Sequence, residues 1–555
     1  MTPSAGPSNA VLAERLEAFA VLLELADASP FSARAYRRAA ELVRGTPAPV
    51  AELVRTGRVR ELRGIGRGIE TRLRELVETG RIAELEELER TVSPEVVGFG
   101  RFLGLTSRRA LEIARGLGVS TASEIAAAIE EGRATTVRGV GPKTEARLRA
   151  ALAVPPAEHR PRLLLIRARA LLERIAAALG GTAAGDPRRW VDAPRRLAVV
   201  CAAEDPNRVL AHFAAVADVV AVVERGPSGA VGVTVEGLPV ELVVAPPGSF
   251  GTALVRATGS QDYVASLGAL PHAPTEEELY ALLGRTFLPP ELREEPQRAG
   301  GEVDHAPPRL LAPADVRGDL HCHTTWSDGR ASVLEMGRAA RDRGYHYVAI
   351  CDHTPSVRVV PGVTADDLRR QGEEIAAANE ELAPFRILRG AECDILPDGS
   401  LDLPDDVLAE LEWVTASLHA GQRTPGPELT RRVTTAMRHD AVRALSHPTG
   451  RLIGRRQPNA LDLDETIAVA AETGVALEVN GLPDRLDLRD EHVRRALDGG
   501  AKIVVNTDAH SVAGLGNMPL AIHTARRGWA AAEDVANTLP LHDLLVRGGA
   551  ARDRT

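Results

Sequence analysis

Nine residues in the second half of the sequence have the types and spacing of a divalent-metal site: His321, His323, Asp328, His353, Glu392, His419, His447, Asp508 and His510. Of the 15 histidines, 12 lie after residue 300. Side chains two apart on an extended segment share a side, so His321 and His323 point the same way, as do Asp508 and His510. Imidazole and carboxylate donors suit Zn²⁺, Mn²⁺ or Fe²⁺, and no thiolate set competes with them. Cys322, Cys351 and Cys393 sit beside these residues, and alternation along a strand is expected to turn them away into the core. Several such ions close together can clamp a phosphate ester, activate water and stabilise the leaving oxygen. One such histidine is ordinarily a polar loop residue; a recurrence at successive strand ends is the pattern of a site.

From Val316 onward, short apolar strands alternate with helices. Expected strands are Tyr347 to Cys351, Arg386 to Leu388, Trp413 to Ser417, Ala444 to Leu445, Ala476 to Val479 and Ile503 to Val505. Expected helices are Val333 to Arg343, Ala365 to Leu382 and Glu465 to Thr473. Strand and helix in turn imply a parallel sheet, here a barrel, whose C-terminal strand ends bring distant residues onto one face.

Upstream the pattern differs. Residues 9–85 read as short amphipathic helices, with Leu62-Arg63-Gly64-Ile65-Gly66 between two of them. The design recurs at Val137-Arg138-Gly139-Val140-Gly141 and, without the second glycine, at Leu103-Gly104-Leu105, which makes it an internal repeat. A Gly-x-Gly turn between helices leaves backbone N–H groups open to a phosphate. Residues 97–174 carry 14 Arg or Lys against 7 Asp or Glu, an excess that suits a nucleic-acid backbone or a solvated helix surface. Gly64, Ile65, Gly66, Gly139, Val140, Gly141 and Lys143 are therefore candidate DNA contacts. Pro155 and Pro156 mark a boundary. Residues 160–250 follow as an α+β segment with an antiparallel sheet: strands Leu197 to Cys201, Val219 to Val223, Val231 to Val235 and Val240 to Val244, and a helix near Asn207 to Val216. Glu295 to Asp315 reads as a linker.

A chain of 555 residues with 44% hydrophobic and 26% charged residues is a multidomain globular one. It has no apolar run long enough to span a membrane. Met1 to Ala10 lacks the form of an export signal, and the four cysteines show no disulfide pattern, so a cytoplasmic location is expected. The formal charge of −9 excludes a uniformly basic chain but not a local basic face.

The segment His321-Cys322-His323-Thr324-Thr325-Trp326-Ser327-Asp328-Gly329 resembles the opening motif of PHP (polymerase and histidinol phosphatase) domains. Cys351-Asp352-His353-Thr354, Gly390-Ala391-Glu392, Ser417-Leu418-His419, Ser446-His447-Pro448 and Thr507-Asp508-Ala509-His510 extend the match. The resemblance implies a distorted (β/α)7 barrel holding three divalent ions. It assigns the first to His321, His323, Glu392 and Asp508, the second to Glu392, His419 and His447, and the third to Asp328, His353 and His510. The order of segments as a whole is similar to bacterial family X DNA polymerases fused to a PHP domain. Pro30-Phe31-Ser32-Ala33-Arg34-Ala35-Tyr36, Phe250-Gly251-Thr252-Ala253-Leu254, Thr258-Gly259-Ser260 and Pro289-Pro290-Glu291-Leu292-Arg293-Glu294 carry that likeness. It implies a helix-hairpin-helix domain at 1–88, a fingers-like one at 89–156, a palm at 157–247, a thumb-like segment at 248–300 and a PHP domain at 316–555.

The polymerase centre departs from the family's pattern. Aligned with its Gly-Ser turn, Asp186 replaces the serine, and the Asp-x-Asp pair falls on Arg196 and Ala198. The third carboxylate falls on Glu241, which alone cannot hold two Mg²⁺. Arg256-Ala257 replaces an expected aromatic pair. In some relatives an N-terminal lysine forms a Schiff base; here Arg67 and Arg72 occupy that helix, and guanidinium stays protonated. The expected function is a DNA-binding metal-dependent phosphodiesterase without DNA synthesis, acting at gapped, nicked or 3′-ended DNA as a 3′-5′ exonuclease or 3′-end processing enzyme. An active repair polymerase, a small-molecule phosphomonoesterase and a non-catalytic DNA-binding scaffold are the alternatives.

Overall fold

The computed structural model describes residues 7, 9–26, 30–46, 49–62, 64–153, 163–294, 308–357 and 360–550. Arg63, the boundary at Pro155 and Pro156, most of the expected linker, and residues 1–6 and 8 of the segment read for export lie outside them. The chain forms two compact units, residues 1–161, 174–182 and 195–246 in one, residues 162–173, 183–194 and 247–555 in the other.

The first unit begins with helices whose apolar stripes face one another. Leu12, Leu16, Phe19 and Leu23 of Asn9–Leu25 are buried with Ala39, Ala40 and Val43 of Pro30–Gly45. Arg67–Thr79 stops at Gly80, whose φ of 74° is a left-handed cap. Thr106 caps Ser107–Leu117 by accepting from the Arg109 N–H, and Thr121 with Glu124 forms a reciprocal capping box on Ala122–Glu130. Helix Pro94–Phe102 lies against the unit's sheet so closely that a Cβ on Gly98 would come within 2.8 Å of the Thr234 carbonyl oxygen.

That sheet corrects one expectation. Gly229–Thr234 pairs antiparallel with both Val219–Arg225 and Pro239–Ala245, but Leu197–Ala202 runs parallel to Pro239–Ala245. The chain between those two strands contains the helix Pro206–Phe213 and a hairpin, long enough for the crossover a parallel pair needs.

In the second unit, the helix Glu276–Leu282 holds the fully buried guanidinium of Arg293, which lies 2.5 Å from Glu276 and over the rings of Tyr280 and Phe287. The rest is a seven-stranded parallel sheet in sequential order: β1 (Gly318–Cys322), β2 (Tyr347–Ile350), β3 (Arg386–Asp394), β4 (Trp413–Ser417), β5 (Val442–Leu445), β6 (Ala476–Asn480) and β7 (Ile503–Asn506). The ends meet: the His323 N–H donates to Ala509 O at 2.9 Å and the Leu320 N–H to Asn506 Oδ1 at 3.0 Å. Six of the strands are buried at every position or all but one, as expected when helices cover a parallel sheet. Only the four-residue helix Asp405–Leu408 separates β3 from β4, which distorts the (β/α)7 pattern. Leu320, Tyr347, Ala349, Trp413, Ala444, Ala476 and Val504 fill the interior with Leu544 of the last helix. No helix among the described residues is long and apolar enough to cross a membrane.

Candidate metal centre and nucleic-acid interface

All nine candidate ligands converge at the C-terminal ends of the barrel strands. Glu392, inside β3 because that strand continues to Asp394, is the hub. Its Oε2 lies 2.8 Å from His353 Nδ1, 3.5 Å from His321 Nε2 and 3.7 Å from His323 Nε2. Its Oε1 lies 2.9 Å from His447 Nε2 and 3.5 Å from His419 Nε2, and accepts from Ser417 at 2.8 Å. Asp508 Oδ1 is 3.1 Å from His323 Nε2, and Asp328 Oδ1 is 3.3 Å from His510 Nε2 and 3.6 Å from His353 Nε2.

Ligand-capable atoms gather in three groups: His323, Asp328, His353 and His510; His321, His323 and Asp508; and His353, Glu392 and His419. These overlap the three sets implied by the resemblance without reproducing them. His323 joins the third set, and His353 stands with Glu392 and His419 where His447 was expected. Among the described residues, Glu392 Oε2 and the Nδ1 atoms of His323, His353, His419 and His447 are buried without a hydrogen-bond partner. Glu392 Oε2 stands among the nitrogens of His353, His321 and His323 without a hydrogen bond, a buried carboxylate oxygen whose need a divalent cation would meet, so the side chains fit such cations.

The charges agree with that reading. Burial works against ionising Glu392, yet the imidazoles of His419, His321 and His353 hold its carboxyl well below the usual range. Burial, with His510 and His353 beside it, pushes His323 down to about 4. Burial opposes the charge on His510, but Asp328 and Asp508 raise it to about 9. His447 and Asp508 have φ of 23° and 53°, left-handed conformations costing a non-glycine residue roughly 1–2 kcal/mol.

Residues not singled out from the sequence hold these groups in place. Glu478 is fully buried and accepts from His321 Nδ1 at 2.7 Å, the His447 N–H at 2.8 Å, Asn506 Nδ2 at 2.9 Å and Asn480 Nδ2 at 3.1 Å. Asp352 accepts from Thr324 N and Oγ1, Ser327 Oγ and Gln371 Nε2, a full complement that makes it structural. The signal for Glu478 was present: Glu478 and Asn480 are polar at i and i+2 in an otherwise apolar strand. Cys322 and Cys393 pack in the outer apolar layers, as alternation required. Cys351 does not follow that expectation. It shares the parity of His353 and lies inside the barrel, its Sγ 3.4 Å from Leu320 O.

In the first unit, Gly64 and Gly139 have φ of 110° and 80°, and nothing lies within 4 Å of a Cβ built on Gly66 or Gly141. Ile65 and Val140 are buried anchors of their turns, and Lys143 is exposed on Pro142–Ala153. The turns are thus shaped to present backbone amides, with side chains of Ile65 and Val140 turned inward rather than toward a ligand.

At the positions aligned with the family's polymerase carboxylates, Ala198 is the register partner of Glu241 on adjacent parallel strands, and Arg196 Nε stands 3.9 Å from Glu241 Oε2. Asp186 belongs to the second unit, where it pairs with Arg189 at 2.9 Å. Arg189 also reaches Glu294 at 3.0 Å, and Arg188 forms a two-pronged pair with Glu276 at 2.7 and 2.8 Å.

Residues 7–82 match the model of a helix-hairpin-helix domain family. The chain is 34% identical to the DNA polymerase/3′-5′ exonuclease PolX of Bacillus subtilis (strain 168), over 95% of its own length and 97% of that protein's. It is 27% identical to a probable phosphatase of Thermoanaerobacter sp. (strain X514) over 40% of this chain and 89% of the relative. A probable phosphatase of Acetivibrio thermocellus is 30% identical over 35% of this chain and 78% of its own length. The chain belongs to the PolX family, bacterial family X DNA polymerases with a C-terminal PHP domain.

Proposed function

We propose that this PolX-family chain is a metal-dependent DNA phosphodiesterase that trims 3′ ends, and that it no longer synthesises DNA. The observation that carries the reading is a contrast. Nine ligand-type side chains converge on one buried centre, while the paired strands aligned with the nucleotidyl-transfer carboxylates hold Arg196, Ala198 and Glu241. The ion pairs of Arg188 and Arg189 further favour loss of synthesis, because they occupy the cations nearest the altered triphosphate turn.

The three groups would hold three ions on His321, His323, Asp328, His353, Glu392, His419, Asp508 and His510, with His447, 2.9 Å from Glu392 Oε1, as the ninth ligand. Bound divalent ions would supply Lewis-acid polarisation of the phosphate and lower the pKa of water. The chain's own part is orientation. Glu478 accepts a hydrogen bond from His321 Nδ1–H, which leaves Nε2 as the electron-pair donor. Asp508 O does the same for His510 Nδ1 at 2.8 Å. Glu392 and Asp508 are sealed, whereas His510, Asp328 and His419 side chains are 32%, 27% and 18% exposed, so a phosphate would enter beside these three. The helix-hairpin-helix turns support DNA as the substrate class.

The phosphatase relatives favour a second reading, a phosphomonoesterase. Full-length protein loaded with Mn²⁺ and given a 5′-labelled oligonucleotide, thymidine 3′-monophosphate and histidinol phosphate decides between them. A ladder shortened from the 3′ end, with the monoesters intact, supports the nuclease; hydrolysis of monoesters alone sinks it.

A further inference from the structure

Arg485 is the one arginine whose guanidinium approaches a candidate metal ligand among the described residues. Its Nε lies 3.9 Å from Asp508 Oδ2, beyond hydrogen-bond distance, and its side chain is 18% exposed. The carboxylates that would be its partners are already engaged. Asp508 Oδ2 accepts from Asn480 Nδ2 at 2.9 Å. Asp487 is fully buried and accepts from Thr449 N at 3.1 Å and Thr449 Oγ1 at 2.8 Å. No side-chain hydrogen bond from Arg485 is present among the described residues, so a fork of five donors stands at the edge of the metal centre without a matched acceptor.

A second cation, Arg456, lies in the same charged neighbourhood. The charges of Arg485 and Arg456 oppose each other, with burial contributing most to the lowered pKa of Arg456. Arg456 is fastened through Nε to Gly450 O at 2.7 Å, in the loop that follows His447. The carboxylate whose charge reaches both guanidiniums, Asp487, is buried and already accepts from Thr449, so the pair keeps donors that favour an anion. The loop bearing Arg485 is also rigid. Asn480 N–H donates to Asp487 O at 2.7 Å, Arg485 N–H to Leu482 O at 2.9 Å, and Leu486 is buried against Leu165, Leu520 and Trp190. Arg451, beneath it, pairs with Asp192 at 2.7 Å.

We infer that Arg485 is a substrate-contacting residue that grips a non-bridging oxygen of the phosphate at the metal centre. The inference rests on the phosphoesterase reading of that centre and adds the residue that orients the ester. A rigid loop holding a fork-shaped donor loses little entropy on binding, and guanidinium matches two phosphate oxygens where ammonium matches one.

The test uses full-length protein loaded with Mn²⁺, comparing wild type with Arg485→Ala and Arg485→Lys. Three quantities are read: bound metal per chain, affinity for thymidine 5′-monophosphate by calorimetry, and kcat on thymidine 5′-(p-nitrophenyl phosphate). We expect Arg485→Ala to keep its metal, bind the nucleotide roughly 10-fold more weakly and lose about 100-fold in kcat, as when one preorganised transition-state donor is removed. Arg485→Lys falls between. Wild-type nucleotide affinity in Arg485→Ala overturns the inference. So does loss of metal in step with activity, which would make Arg485 a mere counter-ion of Asp508. If metal-loaded wild type cleaves no phosphate ester, the phosphoesterase reading fails, while the calorimetric comparison still decides the role of Arg485.

Discussion

Replacing Glu478 by Gln probes how the centre is held. The carboxylate is acceptor-only and faces four donors, two on each oxygen: His321 Nδ1 and Asn506 Nδ2 on Oε1, the His447 N–H and Asn480 Nδ2 on Oε2. An amide has one acceptor oxygen, so its NH₂ must meet one of those donor pairs. If it meets Oε2's pair, the backbone at His447 loses its acceptor. If it meets Oε1's pair, His321 can relieve the clash only by moving its proton to Nε2, the atom that faces Glu392 and Asp508. Either way one ligand is misdirected. Two lost bonds in a buried network amount to about 2 kcal/mol, or roughly 30-fold in metal affinity. The assay is competition for Mn²⁺ and Zn²⁺ against a chromophoric chelator, with circular dichroism to confirm the fold. Unchanged metal affinity in a folded Glu478→Gln protein would refute the claim that Glu478 sets the His321 tautomer.

Asp352→Ala strands four buried donors and is expected to destabilise the second unit by about 3–5 kcal/mol, read as a fall in its urea midpoint. Glu291 is buried, which opposes its charge, yet His523 and Arg526, each 2.8 Å away, hold it at about 2 against an ordinary 4.5. A depressed carboxyl stabilises the fold above its unfolded pKa and loses that contribution as pH falls. The gap between wild type and Glu291→Gln should be about 3 kcal/mol near neutrality and about half that by pH 3. A pH-independent gap in urea titrations contradicts it. Gly139→Val meets a φ of 80° and the Arg109 guanidinium 3.2 Å from the new Cβ. It should cost roughly 1–2 kcal/mol in stability and weaken binding of duplex DNA with a 3′ overhang, measured by fluorescence anisotropy.

Much of the barrel was legible because parallel strands buried on both faces read as short apolar runs. Trp413–Ser417 and Ala365–Leu382 have the expected bounds. The resemblance already shared Glu392 between two ion sets, but its place inside β3 was not legible, because that strand extends past the apolar run that announced it. Parity along a strand located His321 with His323, and the same rule applied to Cys351 gives the interior side that the structure has. Glu478 escaped notice because a carboxylate inside an apolar strand looks like a lapse until donors from three other segments join Asn480 of its own strand. Arg485 escaped for the same reason: its meaning lies in which carboxylates around it are already taken, and spacing carries no information about that. The parallel pairing of Leu197–Ala202 with Pro239–Ala245 depends on how the intervening hairpin folds back, a long-range matter.

The most direct test of the account follows a 5′-labelled primer on a template with Mn²⁺ and all four deoxynucleoside triphosphates, using wild type and His323→Ala in parallel. The account predicts progressive shortening by wild type, no extended product, and no shortening by His323→Ala. Primer extension by wild type, or shortening that survives His323→Ala, contradicts it.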